Sequence, residues 1–123
     1  MGKPKNTKHM EERMAKRNFT SYMVDIIMEF GKWTTKNRII LEEHLLKRAI
    51  SITKEGLHRL IEKLKVAKRV SSCNPETMIE LRRMVKKIKH KLKTMLQLLK
   101  KLPAVLIAKQ DALVTVYQFG ENY

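Results

Sequence analysis

The residue types that perform catalysis or bind metal ions are few and scattered in this chain. Its only cysteine is Cys73, and its four histidines are His9, His44, His58 and His90. Zinc sites need Cys and His at short, regular spacings, and no pair of these residues has such a spacing. A glycine-rich phosphate loop and a serine-centred nucleophile elbow are also missing. We therefore expect no enzymatic activity, no bound metal and no cofactor, and we interpret Cys73 as a structural residue.

Basic side chains form the strongest chemical pattern in the sequence. The chain has 27 Lys and Arg residues against 12 Asp and Glu residues, which gives a formal net charge of +15. Ordinary small domains carry a net charge of about 2–8 in magnitude. A field of this strength attracts polyanions at long range, so the partner classes are nucleic acid, an acidic protein and an anionic membrane surface. Among these three, nucleic acid is the favoured partner.

The segment 75–102 concentrates positive charge beside an apolar seam. Apolar residues recur there in steps of four and three, as in a heptad repeat, at Leu81, Val85, Ile88, Leu92, Met95, Leu99 and Leu102. At about 100° per residue, the basic residues of the same helix form a ridge next to this seam. Such a ridge can neutralise phosphates. The predicted nucleic-acid-binding residues on it are Arg82, Arg83, Lys86, Lys87, Lys89, Lys93 and Lys100.

A second basic segment lies at 54–69 and resembles the second helix of a helix-turn-helix. A helix, a short polar turn and a Thr53 cap precede it, and Lys54, Arg59 and Lys63 are expected to assist the ridge. In a helix-turn-helix, exposed residues at the start of the second helix reach base edges in the major groove. The turn lacks glycine and no wing follows directly, so the pattern favours a plain helical hairpin. A helix-turn-helix or winged-helix DNA reader stays open as an alternative.

Hydrophobic periodicity predicts four helices, over about 11–32, 37–50, 54–69 and 75–102. Asn37 and Asn74 are candidate N-caps, and Gly31 and Pro103 are candidate stops. An outward-facing Glu43 precedes Lys47 by four residues, the favourable order for an ion pair on a helix. The aromatic residues of the first helix are predicted to be buried, which argues against base stacking on them. They are Phe19, Tyr22, Phe30 and Trp33.

The segments 104–108 and 113–119 are rich in β-branched and aromatic residues, which indicates a hairpin or a short helix. Residues 1–9 are polar and basic, and are interpreted as a flexible tail before a single helical domain at 10–123. The expected fold class is therefore all-α, a small bundle of about four helices with a short C-terminal hairpin or helix.

The sequence predicts a non-catalytic nucleic-acid-binding protein that contacts phosphates through the ridge. The main alternative is a helical subunit of a protein assembly, in which the seam docks on a partner helix and the basic side of the same helix meets an acidic subunit. The partner would then be an acidic protein or a second copy of the chain. A membrane surface is disfavoured because the seam has no Trp or Phe to anchor it. The N-terminus lacks the apolar core of a secretory signal, and no stretch reaches the ~18 apolar residues of a membrane span. An intracellular protein is expected, either cytoplasmic or nuclear.

Overall fold

The computed structural model of the chain describes residues 5–35, 37–70, 74–109 and 112–118, which form four helices and five strands. The predicted all-α class is therefore wrong, and the fold is α+β. The elements, in chain order, are β1 (Lys5–Asn6), α1 (Lys8–Arg17), α2 (Ser21–Phe30), β2 (Lys32–Thr35), β3 (Arg38–Leu41), α3 (Glu43–Arg69), α4 (Pro75–Leu99), β4 (Ala104–Lys109) and β5 (Ala112–Gln118).

The strands form one sheet in the order β1-β5-β4-β3-β2. β4 pairs antiparallel with both β3 and β5, β2 pairs antiparallel with β3, and β1 pairs parallel with β5. The hairpin interpretation of the C-terminal segment is confirmed by β4 and β5, although Phe119 lies outside the described residues. Residues 5–9, which the sequence assigns to a flexible tail, lie in β1 and at the start of α1, and residues 1–4 are not described.

The predicted first helix, 11–32, is two helices rather than one. Asn18 ends α1 in the left-handed conformation, with φ 57°. Thr20 then caps α2, because its side-chain oxygen accepts a hydrogen bond from the Met23 N–H at 3.2 Å. Asn tolerates the left-handed conformation and Thr is a good N-cap, so these two local signals interrupt the apolar periodicity. α2 ends at Gly31 as predicted.

The predicted second helix, 37–50, begins as a strand. Asn37 is not an N-cap, and its carbonyl oxygen accepts a hydrogen bond from the Ala108 N–H at 2.8 Å. Ile39 pairs with Leu106 across the sheet. The β-branched residues that follow Asn37 suit a strand once β4 supplies a partner. α3 begins only at Glu43, whose side chain contacts Lys47 at 2.8 Å as predicted. The hydrogen bond and the charge of Lys47 lower the pKa of Glu43.

No turn separates the predicted second and third helices, because α3 runs without a break from Glu43 to Arg69. Thr53 is not an N-cap. Its hydroxyl donates to the Ala49 carbonyl at 2.7 Å, as threonine does inside a helix. The polar residues at 51–55 cost a helix only tenths of a kcal/mol each, and Gly56 about 1 kcal/mol. The plain helical hairpin that the sequence favours is therefore wrong, and so is the helix-turn-helix alternative.

α4 matches its prediction closely. Asn74 caps it by accepting the Glu76 N–H at 2.9 Å, and Pro75 occupies the first helical position. The helix ends at Leu99, three residues before the predicted end. Helices α1 and α2, together with the sheet-proximal ends of α3 and α4, enclose the core against one face of the sheet. The fully buried side chains include Met10, Ile27, Leu41, Leu46, Met95, Leu98 and Leu106.

The rest of α3 and α4 extends beyond the core as an antiparallel pair. We call residues 51–69 of α3 and 75–93 of α4 the arm; Val85 is its only buried residue. Nineteen helical residues span about 28 Å. Along this length, the two helices of the arm contact mainly each other. Among the described residues, no helix combines the length and apolarity needed to cross a membrane.

Candidate nucleic-acid interface

α4 and its C-cap residue, Lys100, present a row of basic side chains that we call the basic stripe. At 100° per residue, its five members lie within about 60° of one another around the helix axis and span about 27 Å along it. All of them are exposed. The members of the basic stripe are Arg82, Lys86, Lys89, Lys93 and Lys100. Five of the seven predicted ridge residues therefore form one solvent-facing row.

The basic stripe is not neutralised by the chain around it. The sequence contains no acidic residue between Glu80 and Asp111. Two ion pairs of α4 lie within the described residues, Arg83 with Glu80 at 3.6 Å and Lys91 with Glu29 at 3.0 Å. In that part of the chain, no stripe residue forms an ion pair. An anion can therefore bind the stripe without displacing an acidic side chain.

α3 adds basic residues on the same side of the arm. Lys68 and Arg82 line one cavity of 430 Å³ near the end of the arm, so the Lys68 side of α3 faces the same way as the stripe. Lys54 and Lys65 lie within about 60° of Lys68 around the α3 axis. Lys65 also contacts Glu62 at 3.5 Å. We call the stripe together with Lys54, Lys65 and Lys68 the basic face.

The predicted site residues do not all share this face. Arg59 and Lys63 are exposed, but they lie about 140° and 180° from Lys54 around α3 and so point away from the basic face. Arg83 and Lys87 line a different surface, next to α2. The basic face thus collects six of the ten predicted residues and excludes these four.

Lys65 and Lys68 are absent from the predicted set. Their spacing to Lys54 places all three on one side of α3, and this can be worked out from the sequence. The tertiary packing of α3 on α4 is what turns that side toward the stripe.

The apolar seam of α4 lies inside the chain. Val85 and Met95 are buried, and the other seam residues are half-buried, namely Leu81, Ile88, Leu92, Leu99 and Leu102. α3 and the core cover them. Leu98, which the heptad pattern omits, is fully buried. Docking of a separate helix on this seam would first require α3 to leave.

A groove lies in the angle between α2 and α4. The rings of Tyr22 and His90 meet edge to face with centroids 4.9 Å apart, and Glu29 pairs with Lys91 at 3.0 Å. Tyr22 and Glu29 are about 10 Å apart along α2, yet they contact neighbouring residues of α4. An open cavity of 620 Å³ lies beside these contacts.

The groove has two chemically different walls. The α4 wall is cationic, with Arg83, Lys86 and Lys87, and the α2 wall carries Tyr22 with two carboxylates, those of Asp25 and Glu29. Ile26 and Thr94 lie between the walls and are buried, and the Thr94 hydroxyl donates to the His90 carbonyl at 3.1 Å. Lys86 belongs to both the groove and the stripe, so the two surfaces are continuous.

The predicted burial of the aromatic residues is wrong for two of the four. Phe19 is buried and Phe30 half-buried, but Tyr22 is 58% exposed and Trp33 is 52% exposed. Trp33 lies in the edge strand β2 rather than in a helix. Tyr22 lies about 100° around α2 from the buried Met23, at the border of the apolar face.

Comparison of the chain with protein-family models, with curated proteins and with solved structures found no match. Among the described residues, no three His, Cys, Asp or Glu side chains lie close enough together to hold a metal ion. Cys73 lies outside the described residues.

Proposed function

We propose that this protein is a non-catalytic nucleic-acid-binding protein that contacts phosphates through the basic face. The observation that carries the proposal is the basic stripe, five exposed cations along about 27 Å of α4 and its C-cap residue, with no acidic partner among the described residues. A duplex carries one negative charge per roughly 1.7 Å of its axis. A rod of this length therefore meets more phosphates than it has cations.

The chemistry of the stripe favours binding that does not depend on base sequence. Four of its five members are lysines, whose ammonium groups act as point charges rather than as planar bidentate donors. Phosphate contacts position a protein on nucleic acid but carry no sequence information. We therefore expect similar affinity for duplexes of different sequence.

The proposal makes a quantitative prediction about salt. Five phosphate contacts, one for each residue of the basic stripe, contribute about −4.5 to the slope of log K against log salt on duplex DNA, which corresponds to a loss of roughly 500-fold in affinity between 50 and 200 mM salt. We expect Lys86→Gln, Lys89→Gln and Lys93→Gln together to reduce the slope by nearly three units, about one per lost contact. Fluorescence anisotropy on a random-sequence duplex measures both quantities.

A matched control separates the stripe from the net charge. Lys8, Lys16 and Lys32 are exposed and lie outside α3 and α4, so changing all three to Gln removes the same charge from elsewhere. This control is expected to keep a slope close to that of the unmodified protein. Equal losses in the two triple variants would mean that affinity follows net charge alone. Salt-independent binding, or no binding at low salt, would also overturn the proposal.

A further inference from the structure

The groove between α2 and α4 combines three features that a single nucleotide would use. The first is Tyr22, which is more than half exposed and packs edge to face with His90 at 4.9 Å between ring centroids. Aromatic side chains of this kind bind single strands by stacking on bases, which a phosphate-binding lysine row does not do.

The second feature is the cationic wall. Lys86 and Lys87 form no ion pair within the described ranges, and Arg83 contacts only Glu80 on its own helix, at 3.6 Å. Their charged groups are available to a phosphate that enters the groove. Because Lys86 also belongs to the stripe, a strand bound along α4 would pass the mouth of the groove.

The third feature is the pair of carboxylates on the opposite wall. Asp25 and Glu29 line the groove beside Tyr22, and Glu29 is engaged by Lys91 at 3.0 Å. A carboxylate has about four acceptor positions, so an engaged one still accepts further hydrogen bonds. Exocyclic amino groups of bases and ribose hydroxyls are donors of the required kind. The negative wall repels phosphate, so a nucleotide in the groove would place its phosphate toward α4 and its base toward α2.

We propose that the groove binds an unpaired nucleotide, with its base against Tyr22 and its phosphate at Lys86 and Lys87. The cavity of 620 Å³ lies within the roughly 300–1,000 Å³ that is usual for small-ligand sites. A base inside a duplex is stacked on both faces, so only an unpaired base can offer a face to Tyr22. This inference rests on the proposed function, since the basic stripe brings the strand to the groove.

The test compares Tyr22 variants on a single strand of about 12 nucleotides, a length within the range of known single-strand sites, and on a duplex of equal length. Tyr22→Ala should weaken single-strand binding by about 5- to 150-fold, the equivalent of one lost base stack, and leave duplex binding unchanged. Tyr22→Phe keeps the ring and should bind as the unmodified protein does. Trp33→Ala removes an equally exposed aromatic residue from β2 and serves as the matched control.

An abasic strand, which has the phosphates but no bases, gives an independent readout. The unmodified protein should bind it no better than Tyr22→Ala binds the intact strand. Titration with adenosine monophosphate, followed by NMR of the Tyr22 and His90 rings, distinguishes a free nucleotide from one held in a strand. Saturable chemical-shift changes without any strand binding would support nucleotide binding in the groove. They would contradict the inference that the stripe brings a strand to it.

The failures of the two proposals are distinguishable. If Tyr22→Ala leaves single-strand affinity unchanged while the Lys86, Lys89 and Lys93 triple variant lowers it, the groove inference is overturned and the proposed function stands. Equal weakening of single-strand and duplex binding by Tyr22→Ala also overturns the inference. If the triple variant changes neither binding, the proposed function itself fails.

Discussion

Arg17 is a basic residue whose side chain binds other parts of the fold. Its Nη1 donates to the Val116 carbonyl at 2.8 Å and to the Thr115 hydroxyl at 3.2 Å, and its guanidinium lies 5.9 Å from the centre of the Tyr117 ring. Lys101 behaves similarly, because its Nζ donates to the Arg17 carbonyl at 3.3 Å. These interactions connect α1 with β5 and with the end of α4, whereas the side chains of the stripe face solvent.

Arg17→Ala is expected to lower the free energy of unfolding by roughly 1.5–3 kcal/mol, the usual contribution of hydrogen bonds that involve a charged group. The neighbouring Lys16 is exposed, and Lys16→Ala should stay within about 0.5 kcal/mol of the unmodified protein. Urea denaturation measures both variants. Equal stabilities for the two would show that the Arg17 contacts contribute nothing.

Two glycines at helix positions differ in the space that their surroundings leave for a side chain. Gly31 joins α2 to β2, and its N–H donates to the Ile27 carbonyl at 2.8 Å. A Cβ at Gly31 would collide with that carbonyl oxygen and with Cγ2 of Ile39. Gly56 lies inside α3, and a Cβ there would meet nothing within 4 Å.

Alanine at these two glycines should therefore have opposite effects. Gly31→Ala is expected to destabilise the protein by about 1–3 kcal/mol, because the crowded backbone cannot move aside freely. Gly56→Ala should stabilise it by about 0.5–1 kcal/mol, because alanine is the better helix former and adds no contact. Thermal unfolding of both variants shows whether each substitution raises or lowers the stability. A destabilising Gly56→Ala would contradict an uninterrupted, open-sided α3.

The whole molecule divides into a compact body and a charged arm. Helices α3 and α4 hold fifteen of the 27 Lys and Arg residues but only five of the 12 Asp and Glu residues. Most of the net charge of +15 therefore lies on helices whose distal parts contact mainly each other. Like charges at this density repel one another and oppose compact packing.

We expect amide hydrogen exchange to reveal this division. Amides of 54–69 and 75–87 should exchange through local opening at a lower free energy than those of 94–99 and of β4, because local stability follows the number of buried apolar contacts. Raising the salt concentration should slow exchange in the arm by screening its self-repulsion. Uniform protection across the arm and the body would contradict the division.

Several features of the fold could be predicted because their signals are local. The Asn74 cap, Pro75 and the apolar steps that follow define α4 without reference to any other segment. The β-branched residues on either side of 110 indicate the β4–β5 hairpin, whose strands are neighbours in sequence. The exposure of the stripe follows from the same helix periodicity that buries the seam.

Other features depend on segments far apart in the chain. β3 exists because Arg38 pairs with Ile107 and Leu41 with Ala104, and the sequence around Asn37 cannot reveal that partner. The same holds for the orientation of Lys54 toward the stripe, which needs the packing of α3 on α4, and for the groove, which needs the contact of α2 with α4.

Residue types and helical spacing were enough to predict the charge, the long basic helix and its exposed row of cations, because these features are local. Tertiary packing was needed to establish the fold class, the continuity of α3, the membership of the basic face and the exposure of Tyr22. Helix periodicity acts over a few residues, whereas strand pairing and helix crossing obtain their free energy from contacts that exist only when distant segments meet.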